Sequence, residues 1–109
     1  MKKGFLHRWL ENRAARERTI RSLAYNIELC RNSARRAIEK AQAGKTNYSM
    51  LKAARTANRD AMEASYTLWM ISGGKLTKKE LALFESAENL YQEIQEAEQA
   101  IEDAKKIGN

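Results

Sequence analysis

Three stretches of the chain return small or aliphatic residues at alternating steps of three and four. The first series is Ile20, Leu23, Ile27, Cys30, Ala34, Ala37 and Ala41. The second is Met50, Ala54, Ala57, Ala61, Ala64, Leu68 and Ile71, and the third is Leu83, Ala87, Leu90, Ile94, Ala97, Ile101 and Ala104. Steps of three and four keep side chains on one face of an α-helix, and their alternation is the heptad pattern of packed helices. The sequence contains no proline, the residue that most readily breaks a helix from within.

Glycine marks the ends of these runs. Gly44 follows the first, Gly73 and Gly74 follow the second, and Gly108 follows the third, each where a left-handed cap favours a residue without a side chain. Thr77 and Glu80 have the spacing of a capping box at a helix start. The spacing predicts helices over about 5–43, 47–72 and 77–107, within a single domain of 109 residues. Short connections favour antiparallel neighbours, so the expected fold is all-α: an up-down-up three-helix bundle with coiled-coil-like packing. The alanine-rich second helix should let its neighbours approach closely.

The first helix outlasts the others. At about 1.5 Å per residue it reaches roughly 58 Å, against roughly 39 Å and 46 Å for the second and third. Its seam, continued backwards, meets Arg16, Arg13, Trp9 and Leu6. Two arginines on a seam predict that the bundle ends near Ile20 and that the first 15 or so residues project, bend back or meet something else.

Charge is distributed unevenly. Residues 1–45 hold 12 Lys and Arg against 4 Asp and Glu, whereas residues 76–109 hold 4 against 8. A basic first helix suggests an acidic partner. On a helical wheel, the face opposite the first seam carries Arg18, Arg21, Tyr25, Leu29, Asn32, Arg36 and Lys40. Arg31 and Arg35 lie on its flank, within reach of Glu88, Glu93, Glu96 or Glu98 of the third helix. Near the start, "KKGFLHRWL" gathers Phe5, Leu6, Trp9 and Leu10 beside Lys2, Lys3 and Arg8. These residues could cover the open end of the bundle, anchor in a partner's groove or rest weakly on an anionic membrane. Tyr66, Trp69 and Met70 are too bulky to share one seam; additional coverage of the core at the wide end of the bundle is the favoured expectation for them, and if exposed they would suggest a partner or a homo-oligomer.

The chemical inventory argues against catalysis. His7 is the sole histidine and has no companion at metal-site spacing. Cys30 falls on the apolar seam, where a thiol is inert, and no glycine-rich phosphate loop is present. No apolar run approaches the ~20 residues that span a bilayer, and the start lacks the pattern of a secretory signal. One cysteine makes no internal disulfide, which suits a reducing cytoplasm.

The sequence therefore points to a non-enzymatic cytoplasmic interaction protein that requires no cofactor or metal. It would dock an acidic protein surface through Phe5, Arg8, Trp9, Arg13, Arg16, Arg18, Arg21, Tyr25, Arg36 and Lys40. Adaptors, assembly factors and inhibitors, including those of phages and mobile elements, are proteins of this kind. Two alternatives use overlapping features: a nucleic-acid-binding accessory protein using the same cations, and a homo-oligomeric structural protein assembled through the first helix.

Overall fold

A computed structural model of the chain describes residues 2–46 and 48–108, with side chains over 11–46 and 48–107. Every element among them is helical: α1 (Lys2–Gln42), α2 (Tyr48–Ser72), α3 (Lys78–Glu88) and α4 (Leu90–Gly108). The molecule is a rod of 70 × 20 × 15 Å. Its radius of gyration, 18.1 Å, exceeds the roughly 13 Å of a compact domain of this length.

The chain closes both of the first two helices with the same hydrogen-bonded cap. Lys45 N–H donates to the Lys40 carbonyl at 2.8 Å and Gly44 N–H to the Ala41 carbonyl at 3.0 Å. After α2, Gly74 N–H donates to the Trp69 carbonyl at 3.1 Å and Gly73 N–H to the Met70 carbonyl at 3.3 Å. Both caps turn on a glycine at positive φ, Gly44 at 81° and Gly73 at 63°, which L side chains resist. The Thr77–Glu80 capping box forms as its spacing predicts.

The third helical segment differs from the expected continuous run over 77–107. It is interrupted at Asn89, whose N–H bonds the Ser86 carbonyl at 3.2 Å, one residue nearer than in an α-helix. Asn89 keeps right-handed dihedrals (φ −85°, ψ −7°), so this is a tightened turn. The apolar series crosses it undisturbed, with Ala87 and Leu90 both buried on either side.

The core is the set of residues the periodicity singles out, apart from Ile71, which stays only half-buried outside it. Leu23, Ile27, Cys30, Ala34, Ala37 and Ala41 of α1 are buried, as are Ala54, Ala57, Ala61, Ala64 and Leu68 of α2. Ala87, Leu90, Ile94, Ala97 and Ile101 complete it, and Ile20, Met50, Leu83 and Ala104 pack partly buried against it. Leu51 joins the core beside Met50. α1 makes its most extensive contact with α2, and α4 packs chiefly on α1.

Packing does not stop near Ile20 as the seam arginines suggest. It extends at least four residues further, because Arg16 is received by a buried carboxylate on α3.

A core this thin should respond sharply to changes in volume in either direction. Ala57→Leu should destabilise by about 1–3 kcal/mol through overpacking, and Leu90→Ala by about 2–5 kcal/mol through the cavity it leaves. Urea unfolding followed by far-ultraviolet circular dichroism measures both.

Candidate interaction surfaces

The cations of α1 fall into two groups. The first is tied to the rest of the bundle. Arg16 Nε donates to Glu80 Oε2 at 2.6 Å, and its Nη2 bonds both Glu80 Oε1 and the Lys75 carbonyl, the latter at 3.0 Å. Glu80 also accepts the Thr77 backbone N–H at 2.8 Å, and its own N–H donates to Thr77 Oγ1 at 3.1 Å. One carboxylate thus caps α3 and receives α1. Arg16, expected among the partner-contacting residues, is instead engaged inside the molecule. Arg31 meets Glu93 at 3.2 Å, one of the pairings anticipated for the flank. Glu98 pairs with Arg55 of α2 at 2.6 Å. Arg13 lies 3.4 Å from Glu17 on the same helix and is exposed.

The second group points outward. Arg18, Arg21, Tyr25, Asn32, Arg36 and Lys40 are all exposed, and Leu29 among them is less so, at 38%. Among the described residues, Arg18, Arg21, Arg36 and Lys40 have no carboxylate within ion-pair distance. From Arg18 to Lys40 this face runs roughly 33 Å along the helix. Arg18 also borders an open polar groove of about 520 Å³ between α1 and α2, with Ser22, Asp60, Glu63 and Thr67. Thr67 there donates to its own helix, to the Glu63 carbonyl at 2.9 Å. The side chains of Phe5, Arg8 and Trp9 lie outside the described residues.

A third group went undetected in the sequence or was expected elsewhere. Tyr66, Trp69 and Met70 do not cover the core: their exposures are 67%, 47% and 63%. The core on that side is already closed by Ala61, Ala64, Ser65 and Leu68, leaving no volume for them. Trp69 alone finds a neighbour, Phe84 of α3, with ring centroids 6.1 Å apart. Met62, Leu81 and Tyr91 are exposed as well. For Met62, Tyr66, Trp69 and Met70 the signal in the sequence was a second apolar spacing on α2, beside the stronger core series.

Cys30 is fully buried, and burial, reinforced by Glu93, pushes its thiol up to about 11. Such a thiol has almost no thiolate at neutral pH and is a poor nucleophile. Among the described residues, no group of three or more His, Cys, Asp and Glu could hold a metal ion, and no helix is long and apolar enough to cross a membrane.

The Arg16 guanidinium, partly opposed by burial, holds the Glu80 carboxyl down at about 2. A carboxylate depressed below its ordinary value, near 4.3, stabilises the fold above that value. The stabilisation is lost as pH falls through about 2. Glu80→Gln should therefore flatten the acid limb of the stability curve between about pH 4.5 and 2, removing up to about 3 kcal/mol of pH dependence. Arg16→Met should cost about 3–5 kcal/mol at neutral pH by stranding the carboxylate. Urea midpoints measured across that pH range test both.

No protein-family profile, curated protein sequence or solved structure matches this chain.

Proposed function

We propose that this chain is a small non-enzymatic protein-interaction module whose basic first helix docks an acidic partner surface. The observation carrying this reading is the row of exposed cations on α1, Arg18, Arg21, Arg36 and Lys40, without an ion-pair partner among the described residues, whereas Arg31 on the flank meets Glu93. Tyr25 and Leu29 within the row add the apolar contact that protein interfaces use alongside charge. In this reading Phe5, Arg8 and Trp9 extend the surface, with Trp9 as an anchor, and Arg13 lies at its border. The module is an up-down-up bundle with heptad packing, acting in the cytoplasm as an adaptor, assembly factor or inhibitor. Support for that topology comes from contacts that pair rising positions of α2 with falling positions of α4: Tyr48 with Lys105 and Arg55 with Glu98.

A second reading rests on the same row. A straight basic stripe also suits a phosphate backbone, making the protein a nucleic-acid-binding accessory.

Capture of partners from host lysate by the tagged chain, with and without nuclease, separates the two. A stoichiometric protein that survives nuclease is the expected result. Arg18→Glu, Arg21→Glu and Arg36→Glu together should abolish its capture, and Trp9→Ala should weaken it by on the order of 2 kcal/mol. Recovery of nucleic acid alone, with affinity falling steeply as salt rises, would replace the first reading with the second.

A further inference from the structure

The largest feature left without a role is an apolar surface where α2 borders α3 and α4. On α2, Met62, Tyr66, Trp69 and Met70 lie at i, i+4, i+7 and i+8, a helical stripe, and all are exposed. Leu81 on α3 and Tyr91 on α4 are exposed too. Contacts across this boundary step in sevens, with Tyr48 on Lys105, Arg55 on Glu98 and Trp69 on Phe84. The same step sets Met62 opposite Tyr91. Gly74 shapes the far end: a Cβ there would stand 3.2 Å from the Trp69 ring, so glycine lets the indole lie over the turn. Apolar side chains scattered singly need no explanation, but exposed ones gathered at helical spacing on one helix suggest a contact surface.

The charges around the patch indicate what covers it. Exposed basic residues stand beyond both of its ends: Lys52 and Arg59 of α2 on one side, the latter 3.6 Å from Asp60, and Lys75 and Lys78 after the turn that ends α2 on the other. Exposed acidic residues stand on its flanks: Glu63 on α2, and Glu85 and Glu88 on α3. A uniformly acidic or basic partner would meet repulsion from one of these sets. Two copies stacked with α2 in line, in either direction, would bring basic end to basic end. Two copies crossing steeply place the basic ends of each over the acidic flanks of the other. Ridges-into-grooves packing supplies such a crossing, with angles near 50°.

We propose that this surface is a two-fold interface with a second copy of this chain, α2 crossing α2 near Tyr66. A patch whose charges complement themselves on crossing suits a two-fold contact, in which the same surface of both copies meets. The interface lies on α2 and is independent of the α1 surface.

Sedimentation equilibrium of the full chain over a concentration series tests the proposal. A species of twice the 12.5 kDa chain mass should grow in with concentration. Tyr66→Glu and Met70→Glu should each weaken it at least about thirtyfold while leaving helix content unchanged, because both side chains are exposed. Tyr66→Cys should give a covalent dimer on mild oxidation, whereas Tyr25→Cys should not; Cys30 is buried and does not interfere. Arg18→Glu with Arg21→Glu should leave the dimer intact, so failure of the α1 reading is distinguishable from failure here. A monomer at every concentration overturns the proposal. So does a dimer that survives both glutamate variants, or one in which Tyr25→Cys cross-links as readily as Tyr66→Cys.

Discussion

Close approach between α1 and α2 is the condition on which the rest of the structure depends, and alanine is what permits it. Ala34, Ala37 and Ala41 on α1 and Ala54, Ala57 and Ala61 on α2 are all essentially buried. Side chains of one carbon set a short distance between helix axes. They also remove little apolar area from water, so each contributes little to stability. The chain compensates by length: its buried seam runs from Leu23 to Ala41 on α1 alone, in a body only 20 × 15 Å across. Leu23, Leu68, Leu90 and Ile101, fully buried at intervals among the alanines, supply the larger volumes.

At the Arg16 end the alanine seam has stopped, and a charged cluster takes over. Glu80 is buried with its two oxygens shared between the Arg16 guanidinium and the Thr77 backbone N–H. Arg16 in turn holds the Lys75 carbonyl of the α2–α3 connection. A buried ion pair of this kind adds less stability than its contacts suggest, because both charges were well solvated beforehand. Its effect is geometric: one carboxylate fixes where α3 starts relative to both α1 and the turn.

The core was legible because it depends on periodicity, which is local. Gly44, Gly73 and the Thr77–Glu80 pair were legible for the same reason, since a cap involves only a few neighbouring residues. What escaped depended on distance in sequence. Arg16 read as a polar interruption of a seam, and only its placement beside Glu80, 64 residues away, makes it part of the interior. The break at Asn89 escaped because the apolar series continues through it. Tyr66 and Met70 were misplaced because bulk alone does not say whether the core has room. That depends on how closely the alanines let the helices approach.

The cations of α1 gain meaning from this background. Arg18 and Arg21 are three residues apart, and Arg36 and Lys40 are four apart, spacings at which like charges on a helix repel. The fold does not need them there, because the seam beneath is continuous and the flank pair, Arg31 with Glu93, forms without them. Each unpaired cation is therefore a small standing cost to the isolated helix. An anionic surface laid along α1 would relieve that repulsion at every position at once. Such a release would add to the attraction between the two bodies, so binding would draw on repulsion that folding alone leaves in place. The α2 surface differs in kind. Its charges alternate in sign around an apolar centre, so they select an orientation and add little net attraction. If both proposals hold, one face captures a partner of opposite charge and the other fixes how two like bodies meet.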